Sequence, residues 1–259
     1  MTGVGVRREG HLLVVTLDEP RTRNAMTQRM AHQVGAAMDE LDQDDTLRAG
    51  IITGAGGFFC AGQNLADADE GRFARTDSRG WWGFASRPPR KPLIAAVDGM
   101  ALGGGFEIAL CCDLIVAGGT TEFGLPEVGR GMVAVGGGLT RLPRRVPYHL
   151  AVLMALTGER VSARTLAGHG LVARIVESGP ALAGAVELGR AIIEHPRTAV
   201  GHTLDVIRVA GASDLGTSIL HQDSRVSVDE LRLTPDYREG VASFKEKRPP
   251  RWLRGATHD

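Results

Sequence analysis

Several features are scarce in this sequence, and each scarcity excludes something. There are three cysteines in 259 residues, Cys60, Cys111 and Cys112. An odd count with an adjacent pair is no disulfide framework, and neither a Cys-x-x-Cys nor a histidine spacing prepares a zinc site. Small buried hydrophobes in a reducing compartment are the expectation. The eight histidines are scattered without metal-ligand spacing, so no metal is expected. Charge of one sign is lacking: Lys+Arg and Asp+Glu are 30 each, which removes the general electrostatic case for nucleic acid. Lysine occurs only at Lys91, Lys245 and Lys247, leaving arginine to carry the remaining positive charge. No apolar run approaches the ~20 residues of a membrane span. The first ten residues are polar and lack the apolar centre of a signal peptide. A cytoplasmic protein with no membrane partner is expected.

What is present suits a folded enzyme. Hydrophobic residues make up 43% of the chain, enough for a sizeable core in one large domain, or one domain with a helical appendage. His11–Leu17, Leu47–Thr53, Leu93–Val97, Asp113–Ala117 and Leu171–Val176 read as strands. Thr27–Leu41 reads as a helix capped by Thr27, with Met30, Val34, Met38 and Leu41 on one face. Asp67–Arg90 is polar and arginine-rich apart from Trp81, Trp82 and Phe84, and reads as a mobile segment with an apolar anchor. From about Ala181 the pattern is helical. No repeat is visible. The whole reads as a β/α region followed by a helical tail.

Three loops share one design, in which an apolar strand meets glycines and then a helix. They are Thr53–Leu65, Val97–Glu107 and Gly131–Gly138. Glycine permits close backbone approach, and the unpaired N–H groups at a helix start suit an anion or a developing oxyanion. Phosphate loops are one alternative, but the Walker pattern is absent, and no Gly-x-Gly-x-x-Gly follows the first strand with an acidic residue at the dinucleotide distance. Two carboxylates sharpen the choice. Glu107 lies in the first turn of an otherwise apolar helix, where a charge is costly unless paired or used, although a helix-dipole role is also open to it. Glu127, in Phe123-Gly-Leu-Pro-Glu127, stands at a turn, either as a solvated residue or as a second acid.

At this point a family resemblance enters. Lys91-Pro-Leu-Ile-Ala-Ala-Val-Asp-Gly-Met-Ala-Leu-Gly-Gly-Gly-Phe-Glu-Ile-Ala-Leu-Cys-Cys-Asp113 resembles the signature of the crotonase family, the enoyl-CoA hydratases and isomerases. Phe58-Phe-Cys-Ala-Gly-Gln-Asn-Leu65, Phe123–Glu127, Pro20–Met26, Gly158–Ser162, Gly170–Val172 and Phe244–Pro249 resemble its other landmarks, so the likeness covers nearly the whole chain. It implies an α/β fold, a spiral of ββα units over residues 1–195, and a C-terminal helical trimerisation region over 196–259, assembled as a trimer or a dimer of trimers. It implies an oxyanion hole made by the N–H groups of Ala61 and Gly104. Glu107 would handle water, and Glu127 the α-carbon proton. The implied substrate is an acyl-CoA thioester, held along Arg23, Ala25, Ala61, Gly62, Gln63, Asn64, Leu65 and Gly104, with Lys247 toward the adenine. No cofactor is implied beyond the coenzyme A carried by the substrate.

Trp81, Trp82, Phe84 and Val135 fall where the family walls its acyl pocket. Two positions depart from the common pattern. Asn64 replaces an Asp, keeping its size and an acceptor oxygen, and Val135 replaces a glycine near the water site. Both glutamates together favour hydration of a trans-2-enoyl-CoA, because adding water requires proton handling at two carbons. An enoyl-CoA isomerase, or a silent acyl-CoA-binding paralogue, are the alternatives.

Overall fold

A computed structural model describes residues 3–177, 179–225 and 227–253. The chain divides into two compact units, residues 1–189 and 190–259. The boundary falls inside a helix, a few residues before the 195/196 division drawn from the sequence.

The first unit begins with strands β1 (Gly3–Glu9) and β2 (Leu12–Asp18), then helix α1 (Gln28–Gln43) and β3 (Ala49–Gly54). A short helix α2 (Leu65–Asp69) and a small hairpin of β4 (Arg75–Thr76) and β5 (Gly80–Trp81) precede β6 (Leu93–Val97) and β7 (Met100–Leu102). Helix α3 (Gly104–Cys111), β8 (Leu114–Gly118), β9 (Glu122–Gly124), α4 (Gly138–Arg141) and α5 (Tyr148–Thr157) follow. The unit closes with β10 (Val161–Ser162), α6 (Ala163–Gly168), β11 (Arg174–Val176) and most of α7 (Ala181–Ile193).

The main sheet runs β1-β2-β3-β6-β8-β11 and is parallel from β2 onward. Its central strands are buried along their length, as a parallel sheet covered on both faces requires; β6, Leu-Ile-Ala-Ala-Val, is wholly buried. A second sheet, β10-β9-β7, stands beside it. Repetition of strand, short strand and helix is the crotonase-type spiral. Helix α1 follows the sequence reading closely: the Thr27 hydroxyl accepts from the Met30 N–H, and Met30, Val34, Met38 and Leu41 are buried on one face.

Two expectations are corrected. Residues 3–9, read only as polar, form an edge strand paired antiparallel to β2, with most of its side chains in solvent. The arginine-rich stretch before β6 is pinned rather than loose. Arg79 is 2% exposed; its guanidinium is held by Asp39 at 2.7 Å and Asp42 at 2.8 Å, both on α1, and it donates to the Arg87 carbonyl. A buried guanidinium survives only when its donors are met in this way.

The second unit is helical: α8 (Arg197–Ala210), α9 (Leu215–Arg225), α10 (Val228–Leu233) and α11 (Pro235–Lys245). Its helices leave Ile207, Leu215, Leu220, Leu233 and Phe244 largely exposed. Among the described residues no helix is long and apolar enough to cross a membrane.

Candidate active site

The site forms where three glycine-bearing loops meet. Asn24 sets the first. It is fully buried, in a left-handed conformation, and its side-chain amide donates to the carbonyls of Ala55 (2.9 Å), Phe58 (2.8 Å) and Phe59 (3.2 Å), while its oxygen accepts from the Glu19 N–H. One side chain therefore ties the loop after β3. The sequence had marked the Arg23-Asn-Ala-Met26 motif but not this role; an asparagine amid apolar and glycine residues was the available signal. The loop then pairs with β7 through Cys60 and Ala101, with the Leu102 N–H donating to the Cys60 carbonyl at 3.0 Å. This brings Gly62 against the second loop: a Cβ on Gly62 would lie 3.1 Å from the amide nitrogen of Gly104.

The expected pair of oxyanion donors needs one correction. The Ala61 N–H is spent on the Arg23 carbonyl at 3.0 Å. Gln63 offers the donor instead. Its neighbours face Met26, with the Gly62 carbonyl accepting from Met26 N–H at 2.7 Å and the Asn64 N–H donating to Met26 carbonyl at 2.9 Å. In extended backbone successive residues alternate sides, so the Gln63 N–H turns away from Met26. Gly104 is the first residue of α3, a position whose N–H has no partner within the helix. These two amides are the donors a developing oxyanion would meet.

The glutamates flank them. Glu107 is 2% exposed, in the first turn of α3, and its Oε1 accepts from the Gly138 N–H at 2.8 Å. Burial, with a smaller push from the nearby Glu127 charge, raises its pKa to about 7 against the pull of that hydrogen bond. Glu127 projects from the 3-10 turn Pro126–Arg130, with Oε1 so close to Gly103 that a Cβ there would lie 2.7 Å away. Burial raises its pKa as well. Its Oε2 and the indole nitrogen of Trp82 are two of the three buried side-chain polar atoms that lack a partner among the described residues.

Other expected residues separate. Trp82 is buried with its ring against Gly104 and Gly136. Trp81 lies half-buried behind it, edge-on to Phe73 at 5.8 Å with Arg75 over its ring. Phe84 is fully buried in the hydrophobic core and is a packing residue. Val135 is 58% exposed, so it is no buried wall; its neighbour Ala134 turns inward. Asn64 caps α2, accepting from Ala66 and Asp67 N–H groups, a task an aspartate would share. The Gln63 side chain accepts from Ala74 N–H and so joins the loop to the hairpin. Arg23, exposed and left-handed, stacks over Phe58; Ala25 is half-buried beside it, and Leu65 is exposed. Lys247 belongs to the second unit and is exposed. The cysteines are buried, and burial drives the Cys60 thiol up to about 12 and the Cys111 thiol up to about 11, which disfavours a thiolate at either. Among the described residues no cluster of three or more metal-ligating side chains exists.

The Gln63 and Gly104 amides, bordered by the buried carboxylate of Glu107 and the half-buried one of Glu127 on a spiral of this topology, fit an enzyme that acts on acyl thioesters. The comparisons agree. The chain belongs to the enoyl-CoA hydratase/isomerase family, whose model matches residues 7–255. It is 36% identical to the enoyl-CoA hydratase EchA19 of Mycobacterium tuberculosis, covering 95% of this chain and 94% of that one. It is equally 36% identical to the mevalonyl-coenzyme A hydratase sidH of Aspergillus fumigatus, covering 93% and 91%. The crystal structure of enoyl-CoA hydratase EchA1 from Mycobacterium marinum superposes with a TM-score of 0.92 at 42% identity, covering 98% and 99%.

Proposed function

We propose that the protein catalyses reversible syn hydration of a trans-2-enoyl-CoA to the 3-hydroxyacyl-CoA. The observation that carries this reading is a neighbouring pair of carboxylates at the start of α3, Glu107 in its first turn and Glu127 against Gly103. The Gln63 and Gly104 N–H groups hold the thioester oxygen. Attack of water at the β-carbon forms the C–O bond and pushes the π electrons onto that oxygen as an enolate, where the two donors strengthen as charge develops. Glu107 takes the water proton, and Glu127 delivers a proton to the α-carbon as the enolate collapses. In the reverse direction Glu127 removes the α-proton and Glu107 protonates the departing hydroxyl. The pair must therefore hold one proton between them, which burial of both makes attainable near neutral pH. Every proton transfer is assigned to this chain, and coenzyme A enters only as part of the substrate.

Similarity to hydratases of two different acyl groups supports hydration and leaves the acyl chain open. Loss of the enoyl-thioester absorbance is the test, run across 2-enoyl-CoA esters of increasing length. Turnover of at least one ester with formation of 3-hydroxyacyl-CoA is expected. Conversion of 3-enoyl-CoA alone would instead make the protein an isomerase. Binding of acyl-CoA with turnover of none would make it a silent paralogue. We also propose a homotrimer or a dimer of trimers built through the second unit, whose exposed apolar side chains need cover. Light scattering giving a monomer would remove that part.

A further inference from the structure

Three observations meet on Trp82. Its backbone is left-handed, with φ of 60° in a residue that is not glycine, and its N–H is held by the Ala74 carbonyl at 2.7 Å. Such backbone is strained in a residue other than glycine and persists where the surroundings impose it. Here it turns the indole inward, so that the six-membered ring lies over Gly104 and the pyrrole edge lies over Gly136. The side chain is 3% exposed, and its Nε1–H is buried without an acceptor among the described residues. A buried donor left empty is costly and calls for an acceptor.

The neighbour of that donor is Glu107. A Cβ placed on Gly136 would collide with Trp82 Nε1 and lie 2.6 Å from Glu107 Oε2, so the two atoms border one point. A single oxygen bridges a donor and an acceptor up to roughly 5.5 Å apart through two hydrogen bonds. The oxygen that Glu107 handles in the hydratase reading is the one at the β-carbon.

We propose that the indole N–H of Trp82 donates a hydrogen bond to the β-oxygen, which is the attacking water in hydration and the departing hydroxyl in dehydration. This rests on the hydratase reading. Glu107 exchanges a proton with the oxygen, and the indole, which neither gains nor loses one, occupies a lone pair and fixes the oxygen's direction. In dehydration the C–O bond breaks with its electron pair moving to oxygen, and the N–H meets the growing negative charge. The α-carbon step, served by Glu127 and the two amides, involves no such oxygen.

The test separates the two steps. The indole is replaced by its benzothiophene isostere, which keeps the packing over Gly104 and loses the N–H; Trp82→Phe is the simpler companion. Hydration of the best 2-enoyl-CoA is measured beside exchange of the α-hydrogens of butyryl-CoA with deuterium oxide. The isostere should lose about tenfold in hydration kcat with KM within about twofold, and keep wild-type exchange within about twofold, as expected for one hydrogen bond to a partly charged oxygen. Trp82→Phe should lose at least as much hydration. An isostere that hydrates at the wild-type rate, or loses both reactions in parallel, overturns the proposal while the hydratase reading stands. Wild-type protein that exchanges α-hydrogens but hydrates no ester overturns both, since no β-oxygen would then be held.

Discussion

The two sides of the site are built differently. On one side Glu107 rides the first turn of a buried apolar helix, locked by the Gly138 N–H, with glycine at 136, where a Cβ would collide with Trp82, and at 138, where a Cβ would sit 3.0 Å from the Glu107 side chain. On the other, Glu127 stands on a short 3-10 turn, with one carboxylate oxygen against Gly103 and the other unpartnered. The first arrangement fixes a carboxylate in position; the second leaves an acceptor free. That difference suits a group that must aim a water and a group that must exchange a proton with carbon.

Glutamine substitutions test this comparison most strongly. Glu107→Gln and Glu127→Gln should each lower hydration kcat by roughly 10²–10⁴-fold with little change in KM, as for loss of a general acid or base. They should part in α-hydrogen exchange of a saturated acyl-CoA, which Glu127→Gln abolishes and Glu107→Gln largely keeps. Equal loss of exchange in both would erase the division of labour. Gly136→Ala comes next, because its Cβ would clash with both Trp82 and Glu107. A loss of about 1–3 kcal/mol of stability, read by denaturant unfolding, and a drop in kcat are expected.

pH sharpens the comparison further. With Glu107 raised to about 7, kcat/KM should fall above that pH as the pair gives up its shared proton. The same shift bears on folding. The unfolded carboxyl titrates near 4.5 and the folded one near 7, so the folded state binds the extra proton between them. Stability should therefore decline as pH rises through that window, by about 3 kcal/mol in all, and unfolding of Glu107→Gln should lack this component. The smallest effect belongs to the first loop. Asn64→Ala should cost about 1 kcal/mol by uncapping α2, and Asn64→Asp should be tolerated, because the capping oxygen remains.

The parts legible in the sequence were those where local pattern and burial agree. Leu93–Val97 is a strand along its whole length, since it is apolar on both faces, and Thr27 announced α1. The family motifs placed Gly104, Glu107 and Glu127 together, and the structure does gather them. Backbone direction was not legible. Whether Ala61 or Gln63 offers its N–H depends on which residue pairs with Met26, a contact between segments far apart in sequence. The edge strand at residues 3–9 has a solvated face and so too little apolar alternation to stand out. The burial of Arg79 was not legible because its partners, Asp39 and Asp42, lie some forty residues away on α1. Phe84 and Trp82, two residues apart, read alike, and both are buried in the hydrophobic core; Trp82, on its left-handed turn, also lays its ring over Gly104 and Gly136.

The most direct measurement of the whole account is mass spectrometry of the product made from a trans-2-enoyl-CoA in water labelled with oxygen-18 and deuterium. The arrangement of two amides and two carboxylates predicts a 3-hydroxyacyl-CoA carrying one labelled oxygen at C3 and one deuterium at C2, added to the same face. A product with deuterium but no oxygen label, or recovery of the enoyl ester unchanged at every chain length, would contradict it.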